Sequence, residues 1–103
     1  MSNPRHWWYT DIKRAVMHYP KYKDRTEPEY KRYQEAIGKA LRDVQQMPNA
    51  EERMRAIDDI LFNQTKTIDG VALELNYSWR VVQNWITDFI NLVGAYKGYE
   101  RRK

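Results

Sequence analysis

Arg80, Gln83 and Asn84 fall at spacings of three and one near the start of an apolar-periodic run, within the segment TIDGVALELNYSWRVVQNWITDF at 67–89. Arginine can donate two parallel hydrogen bonds to guanine, and glutamine or asparagine can pair bidentately with adenine. Each good pair of this kind discriminates against the wrong base by roughly 1–3 kcal/mol. With Val82, Trp85 and Phe89 turned inward, Trp79, Arg80, Gln83, Asn84 and Thr87 are left to face outward. Ser78 and the adjoining helix N-terminus can take a phosphate. No acid interrupts this face before Asp88, whereas an ordinary solvated face mixes Glu with Lys. The chemistry on offer is recognition of duplex DNA. Trp79 can meet a thymine methyl or a sugar, or pack on the third helix; packing is the favoured reading.

Other reactive residues do not assemble into a site. His6 and His18 lie twelve positions apart, roughly 18 Å along one straight helix, too far to share a metal. The pairs Glu51-Glu52 and Asp58-Asp59 are adjacent, so their carboxylates diverge on a helix. There is no cysteine, no Ser-His-Asp spacing, no phosphate-cradling glycine loop and no zinc pattern. Neither an enzyme nor a bound cofactor or metal is expected. The cluster His6-Trp7-Trp8-Tyr9 could stack on single-stranded bases, at about 1–3 kcal/mol per base. Trp8, however, continues an apolar stripe, which favours a place in the core or an interface.

The elements that must position the outward face read as four or five helices and no strand. The first is expected from Pro4 or Arg5 to His18, its apolar face made by Trp8, Ile12, Ala15, Val16 and Tyr19, with Pro20 as its stop. Lys21 to Thr26 reads as a polar linker. Thr26 is the expected N-cap of a second helix, with Glu29 at capping-box spacing and a stripe of Tyr30, Tyr33, Ile37, Ala40, Leu41 and Val44 running to about Gln46. Gly38 suggests a close approach by a neighbouring helix. Asn49 is the expected cap of a third helix bearing Met54, Ile57, Ile60 and Leu61, which ends at Asn63–Lys66.

Thr67–Leu75 then reads as a short fourth helix and Ser78 to about Tyr96 as a long fifth one. Two helices crossing steeply over a short turn need a small residue in the first, a residue tolerant of positive φ in the turn, and apolar locks between them. Ala72 is small, Asn76 tolerates left-handed geometry, and Tyr77 can pack beneath the turn. Ser78 can cap the next helix, and Val82 and Trp85 point back at Val71, Ala72 and Leu75. The expected architecture is all-α: a trihelical helix-turn-helix unit at 49–97, with 78–97 as its recognition helix. A helical pair at 1–48 packs on it, and 98–103 form a basic tail, all in one compact domain.

Composition agrees with such a domain. The 103 residues are 42% apolar and 31% charged, foldable rather than disordered. The net charge of +4 is unevenly spread: ten Lys/Arg against six Asp/Glu over 1–46, three against six over 47–77, and five against two over 78–103. Basic ends around an acidic middle suit a protein that meets a polyanion with selected surfaces. No apolar run nears the roughly 18 residues of a membrane span. The first residues lack an export signal's apolar stretch, so a cytoplasmic protein is expected. Ile86, Phe89, Ile90, Leu92, Val93 and Tyr96 make the fifth helix apolar over more than one face. That points either to self-association, most simply as a symmetric dimer, or to wrapping by the first two helices.

The run ILFNQTKTIDGVALELNYSWRVVQN resembles region 4 of the sigma factors, in which a helix, a polar linker, a T-hydrophobic-x-x-hydrophobic-A-x-x-L helix and a Y-S-x-x-T/V-V recognition helix follow in this order. With HWWYTDIKRAVMHYPKYK opening the chain, the whole is similar to the small phage transcriptional regulators of the RinA and ArpU type. That resemblance implies a phage or prophage activator of late genes. It would bind a promoter in the bacterial host cell, with RNA polymerase as a partner and Arg80, Gln83 and Asn84 in the base-reading part of the motif. Asn76-Tyr77 and Trp79 depart from the smaller or basic residues usual there. Two other readings are a DNA-packaging adaptor resembling a small terminase subunit, and a helical protein-interaction module without DNA contact.

Overall fold

Five helices follow one another in the computed structural model, which describes residues 7–98, and among these no strand is formed. Helix α1 spans Tyr9–Tyr22, α2 Pro28–Gln45, α3 Ala50–Ala56, α4 Ile68–Leu75 and α5 Trp79–Lys97; α3 continues directly into a π-helical segment, Ile57–Phe62. The expected start of α1 at Pro4 or Arg5, His6 and the basic tail beyond Gly98 lie outside the described residues.

Proline does not stop α1. Pro20 sits inside its last turn, on the exposed side. The turn is held instead by Tyr22, whose hydroxyl donates to the Ala15 carbonyl at 2.7 Å and whose ring stacks on Tyr30 with centroids 4.9 Å apart. A buried ring with a satisfied hydroxyl outweighs one missing helical hydrogen bond. Tyr22 therefore belongs to the packed interior rather than to a polar linker. Burial also pushes its phenol well above the ordinary tyrosine value.

One expected cap is displaced and another works without its side chain. Glu27, not Thr26, precedes α2 and makes no side-chain cap, because its carboxylate is bonded to Arg25. Pro28 at the first position starts the helix with its preset φ. Gln34 then ties the connection down, its amide donating to the carbonyls of Tyr22 at 2.7 Å and Arg25 at 2.9 Å. Asn49 does occupy the cap position of α3, but in the left-handed region at φ 61° and without a side-chain bond. Its backbone carbonyl accepts from Arg53 at 2.9 Å.

The core is one cluster fed by every helix, including Trp8, Ile12, Ile37, Ala40, Ile57, Leu61, Val71, Val82, Phe89 and Ile90. Burying a side chain of this size contributes roughly 1.5–3 kcal/mol, and α5 supplies the largest share. Its Ile86, Phe89, Ile90 and Val93 are buried, with α2 and α1 packed along it. The apolar excess of α5 is thus covered within the chain. Tyr96 keeps an exposed edge, with its hydroxyl bonded to the Asp43 carboxylate. Close helix approach occurs at Gly94 rather than Gly38: a side-chain carbon at 94 would overlap the ring of Trp8, while one at 38 would meet nothing within 4 Å.

Candidate nucleic-acid interface

Local chemistry defines the boundaries of α4 and α5. Thr67 Oγ1 accepts from the Gly70 amide at 3.1 Å and so opens α4. At its end Asn76 turns left-handed, φ 63° and ψ 42°, and the Tyr77 amide reaches back to the Ala72 carbonyl at 3.0 Å. This satisfies a carbonyl that the helix end would otherwise leave open. Ser78 Oγ then accepts from the Val81 amide at 3.3 Å and starts α5. Three residues separate the two helices, each with the role its type suggests.

The angle between the helices is held by packing. Val71 and Ala72 on α4 and Val82 and Trp85 on α5 are buried together. The ring of Tyr77 stands edge-on to Trp85, centroids 4.9 Å apart, beneath the turn. The Arg53 guanidinium of α3 lies 5.6 Å from the centre of the same indole, and its Nε donates to the Pro48 carbonyl at 3.0 Å. On the far side of α4, Glu74 accepts from Lys66 Nζ at 2.7 Å and from Arg55 at 3.3 Å. Asp59, in the π-helical segment, approaches the same two cations at 3.4 and 3.8 Å. The Lys66 hydrogen bond holds the Glu74 carboxyl below the usual glutamate range. One ionic cluster therefore fixes α4 against the π-helical end of α3.

The six residues expected to meet DNA lie on one end of α5. Arg80 and Asn84 are exposed, Gln83 and Thr87 are half-buried beside them, and Ser78 is exposed at the cap. Arg80 forms no ion pair among the described residues. Gln83 Nε2 donates to Thr87 Oγ1 at 3.1 Å. That bond uses one amide proton and leaves the other, with the amide oxygen, available for a second partner. Thr87 thus orients Gln83. The sequence contained a signal for this contact in the four-residue spacing, which makes the two side chains neighbours on a helix.

Trp79 is 51% exposed, so it belongs to the surface and not to the packing preferred for it from sequence. Leu73, on α4, is 83% exposed and was not singled out among the surface positions. The π-helical segment was also missed, because no residue type encodes it. The first turn of α5 contains no acid, so its positive end is uncompensated. The nearest acid along the helix is Asp88, whose carboxyl is raised by burial and partly pulled back by Arg53.

The other candidates remain dispersed. His18 is exposed on α1, and no three His, Cys, Asp or Glu side chains gather into a metal-holding group among the described residues. Trp8 is 1% exposed and part of the core, while its neighbour Trp7 faces solvent. No helix among the described residues is long and apolar enough to cross a membrane. No protein-family model matches the chain, and no curated protein or solved structure is significantly similar to it.

Proposed function

We propose that α3 with its π-helical extension, α4 and α5 form a trihelical helix-turn-helix, and that the protein regulates transcription by binding a specific duplex DNA sequence. The observation that carries this reading is the unpaired, outward Arg80 beside Asn84 and the pre-oriented Gln83. All three project from the acid-free N-terminal end of a helix set by a left-handed turn at Asn76. Arg80 pairs with a guanine in the major groove, Gln83 and Asn84 read neighbouring bases, and Ser78 with the first amides of α5 meets a phosphate. Half-exposed Trp79 covers a sugar or a thymine methyl beside them.

The resemblance to phage late-gene regulators supports a role at a promoter, in the cytoplasm of a bacterial host and alongside its RNA polymerase. Binding to the duplex that the wild-type chain enriches from a random pool, compared between the wild-type chain and the Arg80→Ala/Gln83→Ala double variant, tests the reading. Arg80 is exposed and Gln83 half-buried with a single side-chain bond, to Thr87, so circular dichroism is expected to match wild type and thermal unfolding to change little. Specific affinity is expected to fall by roughly a hundredfold, from the loss of two base contacts of about 1–3 kcal/mol each. Full affinity in the folded variant contradicts the assignment.

A further inference from the structure

Away from the helix-turn-helix, the outer face of α1 is basic. From Lys13 to Lys23 the chain carries four Lys/Arg and His18 with no carboxylate. Arg14, His18 and Lys21 follow at four- and three-residue spacing and are exposed. Lys13, Arg14 and Lys21 take part in no ion pair among the described residues.

These side chains line two adjoining surface depressions. The first, about 570 Å³, lies between α1 and α2, with Arg14, His18 and Lys21 on one wall and the stacked Tyr22 and Tyr30 beneath; Asp11 and Glu29 also line it. The second, about 290 Å³, shares Arg14 and His18 with the first, adds Lys13 and Gln64, and contains no carboxylate. Gln64 donates to the Met17 carbonyl at 3.1 Å, which fixes the loop before α4 against α1. It also opens the next depression, about 430 Å³, which ends at Thr67 and Gly70. The single acid there, Glu74, is neutralised by Lys66 and Arg55. A continuous surface track therefore leads from the α1–α2 cleft to the N-terminus of α4.

We infer that this track is a second contact with the DNA backbone, in which Lys13 and Arg14, flanked by His18 and Lys21, hold phosphates outside the bases read by α5. A chain of depressions that share walls fits a polymer better than a compact ligand. The stretch Lys13–Lys21 spans about 12 Å of helix, enough to meet several phosphates of one strand, which recur every 3.4 Å or so of duplex rise. The inference rests on the duplex-binding reading above.

The test compares the full-length wild-type chain with Lys13→Gln/Arg14→Gln in salt titrations on the enriched duplex and on a scrambled one. Each phosphate released changes the slope of log affinity against log salt by about 0.9, so the variant is expected to show a slope shallower by about 2. Affinity falls equally on both duplexes, and the preferred motif and the unfolding midpoint do not change. Trimming the flanking duplex is expected to bring the wild type down to the variant's affinity. An unchanged slope in a variant that still binds the motif overturns the inference and leaves the recognition helix intact. Failure of the wild-type chain to bind any duplex overturns both.

Discussion

The indole of Trp8 lies directly against the α-carbon of Gly94, so that any side-chain carbon at 94 would overlap the ring. This one contact joins the residue preceding α1 to the last turns of α5. It places the N-terminal part of the chain on the far end of the helix whose other end carries Arg80.

Gly94→Ala is expected to destabilise the protein even though alanine favours helix. The added methyl has to displace a ring that is 1% exposed, and overpacking of this kind costs about 1–3 kcal/mol. Chemical denaturation measures it. Combining Gly94→Ala with Trp8→Leu is expected to cost less than the sum of the single changes, since the smaller side chain makes room.

Asn76 holds a left-handed backbone with φ 63°. Asn76→Ala is expected to cost about 1–2 kcal/mol, the penalty of that conformation for an ordinary side chain, whereas Asn76→Gly is expected to be neutral or mildly stabilising. If α4 and α5 depend on this turn for their angle, Asn76→Ala also weakens DNA binding in proportion to the fraction unfolded. Parallel unfolding and binding titrations separate the two effects.

These features differ in how far they could be read from sequence. The cap Ser78 and the turn residue Asn76 act on an amide and a dihedral within a few positions of themselves, and each stands where its type suggested; Thr67, read as the first residue of the fourth helix, is instead its cap. Pro20, Tyr22 and Gly94 could not be read this way. Their surroundings are set by rings distant in the chain: Tyr30 stacks on Tyr22, and Trp8 closes on Gly94. Thr26 lost the cap of α2 because Arg25 fixes Glu27 and Pro28 starts the helix by itself. At the candidate interface the outward positions followed from helical period, but the 51% exposure of Trp79 depends on tertiary packing, which the helical period does not encode.

The ionic cluster around Glu74 has a defined pH dependence. Its carboxyl is held below the usual glutamate value by Lys66, so the stabilisation is present above that value and lost as pH falls through the depressed one. Glu74→Gln is expected to lower the unfolding midpoint near neutral pH, and the difference from wild type is expected to vanish on acidification. Urea titrations at several pH values read this directly. Glu74 is exposed and Lys66 only partly buried, so the effect is small.

Asp88 behaves in the opposite sense. Burial raises its carboxyl, so the stabilisation associated with the protonated form is present below the ordinary aspartate value and lost as pH rises through the raised one. Asp88 keeps an exposed surface and has Arg53 nearby, so Asp88→Asn is expected to raise stability only slightly at neutral pH, with the gain fading in acid. Removing a negative charge one turn beyond Asn84 is also expected to strengthen duplex binding at low salt and to have less effect at high salt. Paired binding and unfolding measurements at two ionic strengths check both halves.

Sequence-specific recognition through the N-terminal end of α5 is tested most directly by selecting bound duplexes from a random pool with the wild-type chain and with Arg80→Ala in parallel. The expected result is one enriched motif for the wild type, containing a guanine whose preference is lost in the variant while the other positions persist. A pool without an enriched motif, or an identical motif from the variant, contradicts the account.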